Sequence, residues 1–187
     1  IENLYKNQDI LLFKECYAME KIHGTSAHIA YKCSQYESRD EGKEEYWVDE
    51  IKFFSGGEKH VNFIKLFDEQ KLLENFRKIG GDVVVFGEAY GGKCQGMSDT
   101  YGKALKFVSF DVKMGERWLS VPQAEDVVRN LGLEFVHYTK VSTNLEDLNR
   151  ERDRDSVQAI RNGMGPGHPS EGIVIRPIIE LTKNNGE

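Results

Sequence analysis

The chain is short of cysteine, of net positive charge and of long apolar runs, and each shortage excludes something. Its three cysteines, Cys16, Cys33 and Cys94, form no Cys-x-x-Cys pair and show no zinc-ligand spacing. That argues against a disulfide framework and a zinc module, and it suits reduced thiols of an intracellular, cytoplasmic protein. No apolar stretch reaches membrane-spanning length and no signal-peptide pattern opens the sequence, so no membrane partner is expected. Lysine and arginine number 25 against 31 acidic residues, a net charge of -6. A chain of this balance that binds nucleic acid needs a local basic face. A Gly-rich loop is expected over 91–102 (GGKCQGMSDTYG), and it lacks the Lys-Ser/Thr ending of a Walker phosphate loop. There is no internal repeat and no low-complexity tract.

What remains is enough for one domain with a real core: 187 residues, 39% hydrophobic and 11% aromatic. Apolar patterning predicts strands over roughly 10–19, 26–33, 46–54, 82–90, 106–113, 133–138 and 170–177. It predicts a helix over 61–79 closed by Gly80-Gly81, and an amphipathic helix over 121–131 opened by Ser120-Val121-Pro122 and closed by Gly132. A highly charged surface helix is expected over 145–161, and solvated loops over 34–45 and 162–169.

The organising stretch is Glu20-Lys21-Ile22-His23-Gly24-Thr25-Ser26, between two predicted strands. Gly24 is expected to supply the backbone angles of a tight turn, making a strand-turn-strand hairpin with Lys21 at a strand end. There a lysine that loses part of its hydration favours the free amine, a nucleophile. Backbone N–H groups from Gly24 to Ser26 suit a phosphate. Taken alone, such a run is most often an ordinary joint with a solvated lysine. Glu88 ends the β-branched run DVVVFGEAY and needs a partner, because an unpaired buried carboxylate is costly. A salt bridge, a ligand hydroxyl and a metal-bound water are all open to it. Phe110 reads either as core or as a stacking platform for a base. Lys52, Lys59, His60 and Lys65 read either as a solvated face or as a phosphate-contacting edge.

Four segments, EKIHGTS, FGEAYG, KFVSFDV and EGIVIRP, resemble in order the motifs of the covalent nucleotidyltransferases, the ATP- and NAD-dependent ligases and mRNA capping enzymes. The Lys-x-His-Gly form resembles in particular the RNA ligase family of phage nick-sealing and RNA-editing enzymes, over about Glu20 to Pro177. The resemblance implies an α+β fold of antiparallel β-sheets forming a nucleotide-binding cleft with flanking helices, a nucleotidyltransferase or ATP-grasp-like ligase domain. It implies that Lys21 attacks the α-phosphate of ATP to form lysyl-AMP, and that Glu20 and Ile22 flank the adenine by side chain or main chain. Glu88 would hold the ribose, Phe110 would stack on the base, and Glu171 would act near the metal and the reacting phosphate. His23, Gly24, Ser26 and Arg176 fall within the matched motifs and are implied to bind nucleotide. Glu88 and Glu171 would hold Mg²⁺ or Mn²⁺, and Lys52 and Lys59 are phosphate or RNA candidates. RNA ends carrying a 5′-phosphate and a 3′-hydroxyl are the implied substrates.

Three departures stand out: Ser26 occupies a position where the family often has Asn or a basic residue, the segment after the first hairpin shows Ser55-Gly56-Gly57 where a basic residue is expected, with Lys52 and Lys59 as candidates, and the family's final Lys-x-Lys strand does not occur before Glu187. Residues 1–187 are therefore expected to be an adenylyltransferase domain cut short of that motif. A DNA ligase, a capping-type nucleotidyltransferase and a non-catalytic nucleotide- or RNA-binding module are the alternatives.

Overall fold

Two antiparallel sheets share the chain between them. The structure, a computed structural model, describes residues 3–37 and 45–181. The strands are β1 (Glu15–Lys21), β2 (Thr25–Glu37), β3 (Glu45–Ser55), β4 (Val83–Gly91), β5 (Leu105–Met114), β6 (Arg117–Trp118), β7 (Tyr138–Ser142) and β8 (Gly172–Pro177). One sheet has the order β7-β1-β8 and the other β3-β2-β4-β5-β6, with every named pairing antiparallel. The helices are α1 (His60–Ile64), α2 (Glu69–Ile79), α3 (Ser98–Tyr101), α4 (Val121–Asn130), α5 (Leu145–Arg152) and α6 (Val157–Arg161). This is the expected α+β arrangement of antiparallel sheets with flanking helices. No helix among the described residues is long and apolar enough to cross a membrane.

Strand alternation decides which face of the larger sheet is covered. Ala27, Ile29 and Tyr31 of β2 and Val83, Val85 and Ala89 of β4 are buried, and their neighbours Ser26, His28, Val84, Phe86 and Glu88 turn the other way. The buried face packs on α1 and α2, where Tyr31 stacks on Phe76 at 5.0 Å and Phe63 meets Phe107 edge-on at 5.5 Å. The helices start and stop where their ends are satisfied. The Asp68 carboxylate accepts from Lys71 N–H at the head of α2, and Ser120 and Gln123 form a capping box at the head of α4. Gly80 and Gly132, both at φ 77°, follow the two C-termini.

Several expected elements take another form. The Lys21 turn is not a hairpin, because β1 pairs with β7 and β8 while β2 pairs with β3 and β4. The chain changes sheets there. Gly24 is also needed for a different reason than the expected turn angles, since its φ is not positive. A Cβ on it would lie 2.4 Å from the Ala89 carbonyl oxygen and 2.9 Å from Glu88 Cγ, so close approach of β4 excludes a side chain. Residues 10–12 belong to a 3-10 turn (Asp9–Leu12) that precedes β1. The helix expected over 61–79 is two, α1 and α2, joined at a bend. Segment 91–102 is not an open loop, since a 3-10 turn (Cys94–Gly96) and α3 order it and bury Tyr101. Over 133–138 only Phe135 makes a bridge, to Ser109, and the strand proper begins at Tyr138. The helix expected over 145–161 is likewise two, and α6 is not a surface helix: Gln158 and Ala159 are fully buried. Of the loop expected over 34–45, 34–37 continue β2, Glu45 starts β3, and 38–44 lie outside the described residues.

Candidate active site

The change of sheet at residues 22–24 places Lys21 where the two sheets meet. On β1, Met19 and Lys21 share a face, and on β8 Val174 stands opposite Met19 and Arg176 opposite Tyr17. The larger sheet contributes Glu88, Phe110 and Asp111 from β4 and β5. These side chains line a cleft of about 260 Å³ between the sheets, bordered also by Ile22 and Val136. Lys21, Glu88, Phe110 and Arg176, drawn from four separate motifs, are thereby brought to one cavity.

A β-bulge puts the Phe110-Asp111 pair there. Asp111 stands opposite Phe86 and Ser109 opposite Gly87, so Phe110 is the extra residue on β5. The bulge shifts the alternation by one, and both Phe110 and Asp111 reach the cleft wall. Gly87 makes the same region possible on the other face of the sheet. A Cβ there would lie 2.3 Å from the Val108 carbonyl oxygen and 2.6 Å from the Phe107 ring. The glycine before Glu88 is thus demanded by the core aromatic beneath it.

Lys21 Nζ forms an ion pair with Glu171, just ahead of β8. Glu88 lies close enough to feel both charges. Burial pushes its carboxyl up to about 7, Lys21 acts in the opposite direction, and Glu171 adds to the rise. Across the cleft, Arg176 Nη1 donates to Asp111 Oδ2 at 2.7 Å and Nη2 to Glu180 Oε1 at 2.5 Å. Desolvation raises the Asp111 carboxyl, and the Arg176 guanidinium opposes that shift. The Arg176–Asp111 contact joins β8 of one sheet to β5 of the other.

Glu20 borders the cleft, but its side chain is spent elsewhere. Its carboxylate accepts from Ser156 Oγ at 2.5 Å and from Gln158 N–H at 3.2 Å, which ties β1 to the start of α6. Burial raises this carboxyl, against the hydrogen bonds of Ser156 and Gln158. His23 is held through its backbone, whose N–H donates to Tyr101 Oη at 3.3 Å. Ser26 stands opposite Glu88 in the β2–β4 register and is exposed. Lys52 and Lys59 do not line the cleft. Lys52 projects from β3 and pairs with Glu50 at 3.0 Å, and Lys59 heads α1.

Sequence reasoning passed over Asp111, Tyr101, Ser156 and Gln158. Asp111 carried a signal, because it follows Phe110 in KFVSFDV. The other three act through partners 78 to 138 residues away, and local pattern holds no trace of that. Among the described residues no three His, Cys, Asp or Glu side chains gather as a ready-made metal site. The pair Glu88 and Glu171 fits a different kind of cation: one bound through a few carboxylate oxygens, with phosphate and water filling the rest.

The comparisons with known proteins bear on the fold and the family. Structures of a Naegleria gruberi RNA ligase have a similar fold. One variant of it with ATP and Mn matches at a TM-score of 0.63 and 15% identity, over 94% of this chain and 50% of that one. A second, apo variant matches at 0.62 and 16%, over the same shares. The chain thus spans about half the length of these solved chains. No curated protein matches it significantly. A model of the RNA ligase family matches residues 14–186, and the chain belongs to that family.

Proposed function

We propose that residues 1–187 are the adenylyltransferase domain of an ATP-dependent RNA ligase. One observation carries this reading: Lys21, Glu88, Phe110 and Arg176 of four distant motifs line a single cleft of nucleotide-accommodating size, and Glu171 pairs with the lysine there. The Lys21 amine attacks the α-phosphorus of ATP. A P–N bond forms, pyrophosphate leaves, and the amine gives up a proton, giving lysyl-AMP. An oxygen of an RNA 5′-phosphate then attacks the same phosphorus, and the P–N bond breaks. A 3′-hydroxyl finally displaces AMP and seals the strand. Phe110 and Val174 sandwich the adenine, Glu88 accepts from the ribose hydroxyls, and Arg176 faces the phosphates.

Glu171 holds Lys21 by its charge before nucleotide enters, and the pair must separate for the amine to attack. Glu88 and Glu171 are the residues that would hold a divalent cation. Such an ion, when bound, neutralises charge on the triphosphate and on the two carboxylates. The Naegleria structures with ATP and Mn support a nucleotide-plus-metal reading.

Intact mass after incubation with ATP and Mg²⁺ or Mn²⁺ tests it. The expected result is a gain of one adenylate that is absent from Lys21→Ala. No adduct on this chain or on a longer one carrying the Lys-x-Lys strand would overturn the reading in favour of a binding module. Labelling by GTP rather than ATP would indicate a capping-type enzyme, and sealing of DNA but not RNA nicks a DNA ligase.

A further inference from the structure

The face of the larger sheet that turns away from α1 and α2 carries a row of rings. In register, Phe54 of β3 stands opposite His28 of β2, and His28 opposite Phe86 of β4. Phe54 and His28 stack at 4.8 Å with planes 20° apart, His28 and Phe86 lie 5.7 Å apart, and Phe86 meets Trp118 of β6 at 5.1 Å. The row crosses the whole sheet. Its two ends are the most open, Phe54 at 49% and Trp118 at 36% exposure. Phe54 lies on β3, which is an edge strand of the sheet among the described residues. Burial lowers the His28 imidazole below its ordinary value, which favours the uncharged ring in the middle of the row.

Lysines lie beside the rings on the same face. Lys52 is two residues from Phe54, and Lys32 is exposed four residues beyond His28. Lys113 stands opposite both Val84 and Trp118. Glu50 pairs with Lys52 and Glu116 with Lys113, each at 3.0 Å. Solvent-exposed pairs of this kind contribute little, and a phosphate competes for either lysine. The next row on the same face is Ser26 and Glu88, and Glu88 lines the cleft. Rings flanked by separated cations and continuous with a nucleotide cleft match unpaired nucleic acid, whose bases stack while its phosphates pair.

We propose that this face is a stacking track for unpaired RNA, with bases extending the ring row at Phe54 and Trp118 and backbone phosphates on Lys32, Lys52 and Lys113. The strand is thereby led toward Lys21. The proposal rests on the RNA ligase reading for the identity of the nucleic acid, but it can fail or stand independently of adenylylation.

The test is binding of the full chain to an unstructured 5′-phosphorylated oligouridylate and to a fully paired RNA duplex, across salt concentrations. The single strand is expected to bind better than the duplex and to quench Trp118 fluorescence. Phe54→Ala and Trp118→Ala should each weaken it about tenfold, the scale of one lost base stack. Phe54→Trp and Trp118→Phe should retain affinity. Lys52→Ala should lower the salt slope by about one. Phe54→Ala and Trp118→Ala should still form as much Lys21–AMP from ATP as the parent chain. No binding of the single strand, or binding untouched by both ring substitutions, would overturn the track whether or not lysyl-AMP forms. Absence of lysyl-AMP with ring-dependent RNA binding would leave the track standing and remove the ligase reading instead.

Discussion

Glu88 is the residue whose charge the cleft controls most. Its folded-state carboxyl titrates at about 7, far above the ordinary value of 4.5, because burial outweighs the nearby lysine. A raised carboxyl pKa means that the folded state holds its proton longer than the unfolded chain does. Between about pH 4.5 and 7 the unfolded state therefore binds fewer protons, and stability falls as pH rises through that window. Glu88→Gln abolishes this term. The variant should gain on the parent by about 1 kcal/mol between pH 5 and pH 8, a figure discounted for partial exposure. Urea midpoints of both proteins at the two pH values measure it, and an unchanged difference would mean that Glu88 is not the desolvated group. The type and place of this residue were legible, since a glutamate closing a β-branched run needs a partner. The identity of the partners was not. Lys21 and Glu171 arrive from another sheet, and no local spacing encodes that.

At the scale of elements, the β4–β5 pair does the precise work. Its bulge at Phe110 and the bare Cα of Gly87 are two sides of one arrangement, in which Phe107 fills the core side beneath Gly87 and Phe110 the cleft side. Gly87→Ala forces a methyl into the Phe107 ring and the Val108 carbonyl. Overpacking of this kind should cost on the order of 3 kcal/mol, read as a lowered denaturation midpoint together with weaker nucleotide binding. A stable variant with parental binding would show that the pair gives way more easily than its contacts imply. The strand β5 itself was legible as an alternating run. Its bulge was not, because a one-residue shift in register depends on what the partner strand offers. The same limit explains α6: it closes a segment, 145–161, whose charge reads as surface, yet Glu20 of β1 draws Ser156 and Gln158 into the interior.

At the scale of the molecule, the two sheets are held at the cleft by Arg176 and Asp111, both only 16% exposed. Removing one member of such a pair leaves a poorly solvated charge behind. Arg176→Met should therefore destabilise by about 3 kcal/mol, and adding Asp111→Asn should recover a large part of that loss. Denaturation of the single and double variants measures both. Full additivity of the two substitutions would mean that the sheets are joined elsewhere.

The sequence by itself determined the strand-rich order and the four segments that carry Lys21, Glu88, Phe110 and Glu171 with Arg176, because strand periodicity and motif composition are local properties, and the fold class followed from the resemblance those segments carry. Only the tertiary structure decided that β1 and β2 enter different sheets, that Gly24 is a matter of contact with β4 and not of backbone angle, and that Asp111 reaches Arg176. Those outcomes depend on which distant strand completes each hydrogen-bond ladder and on how much room its side chains leave, and no window of neighbouring residues contains that information.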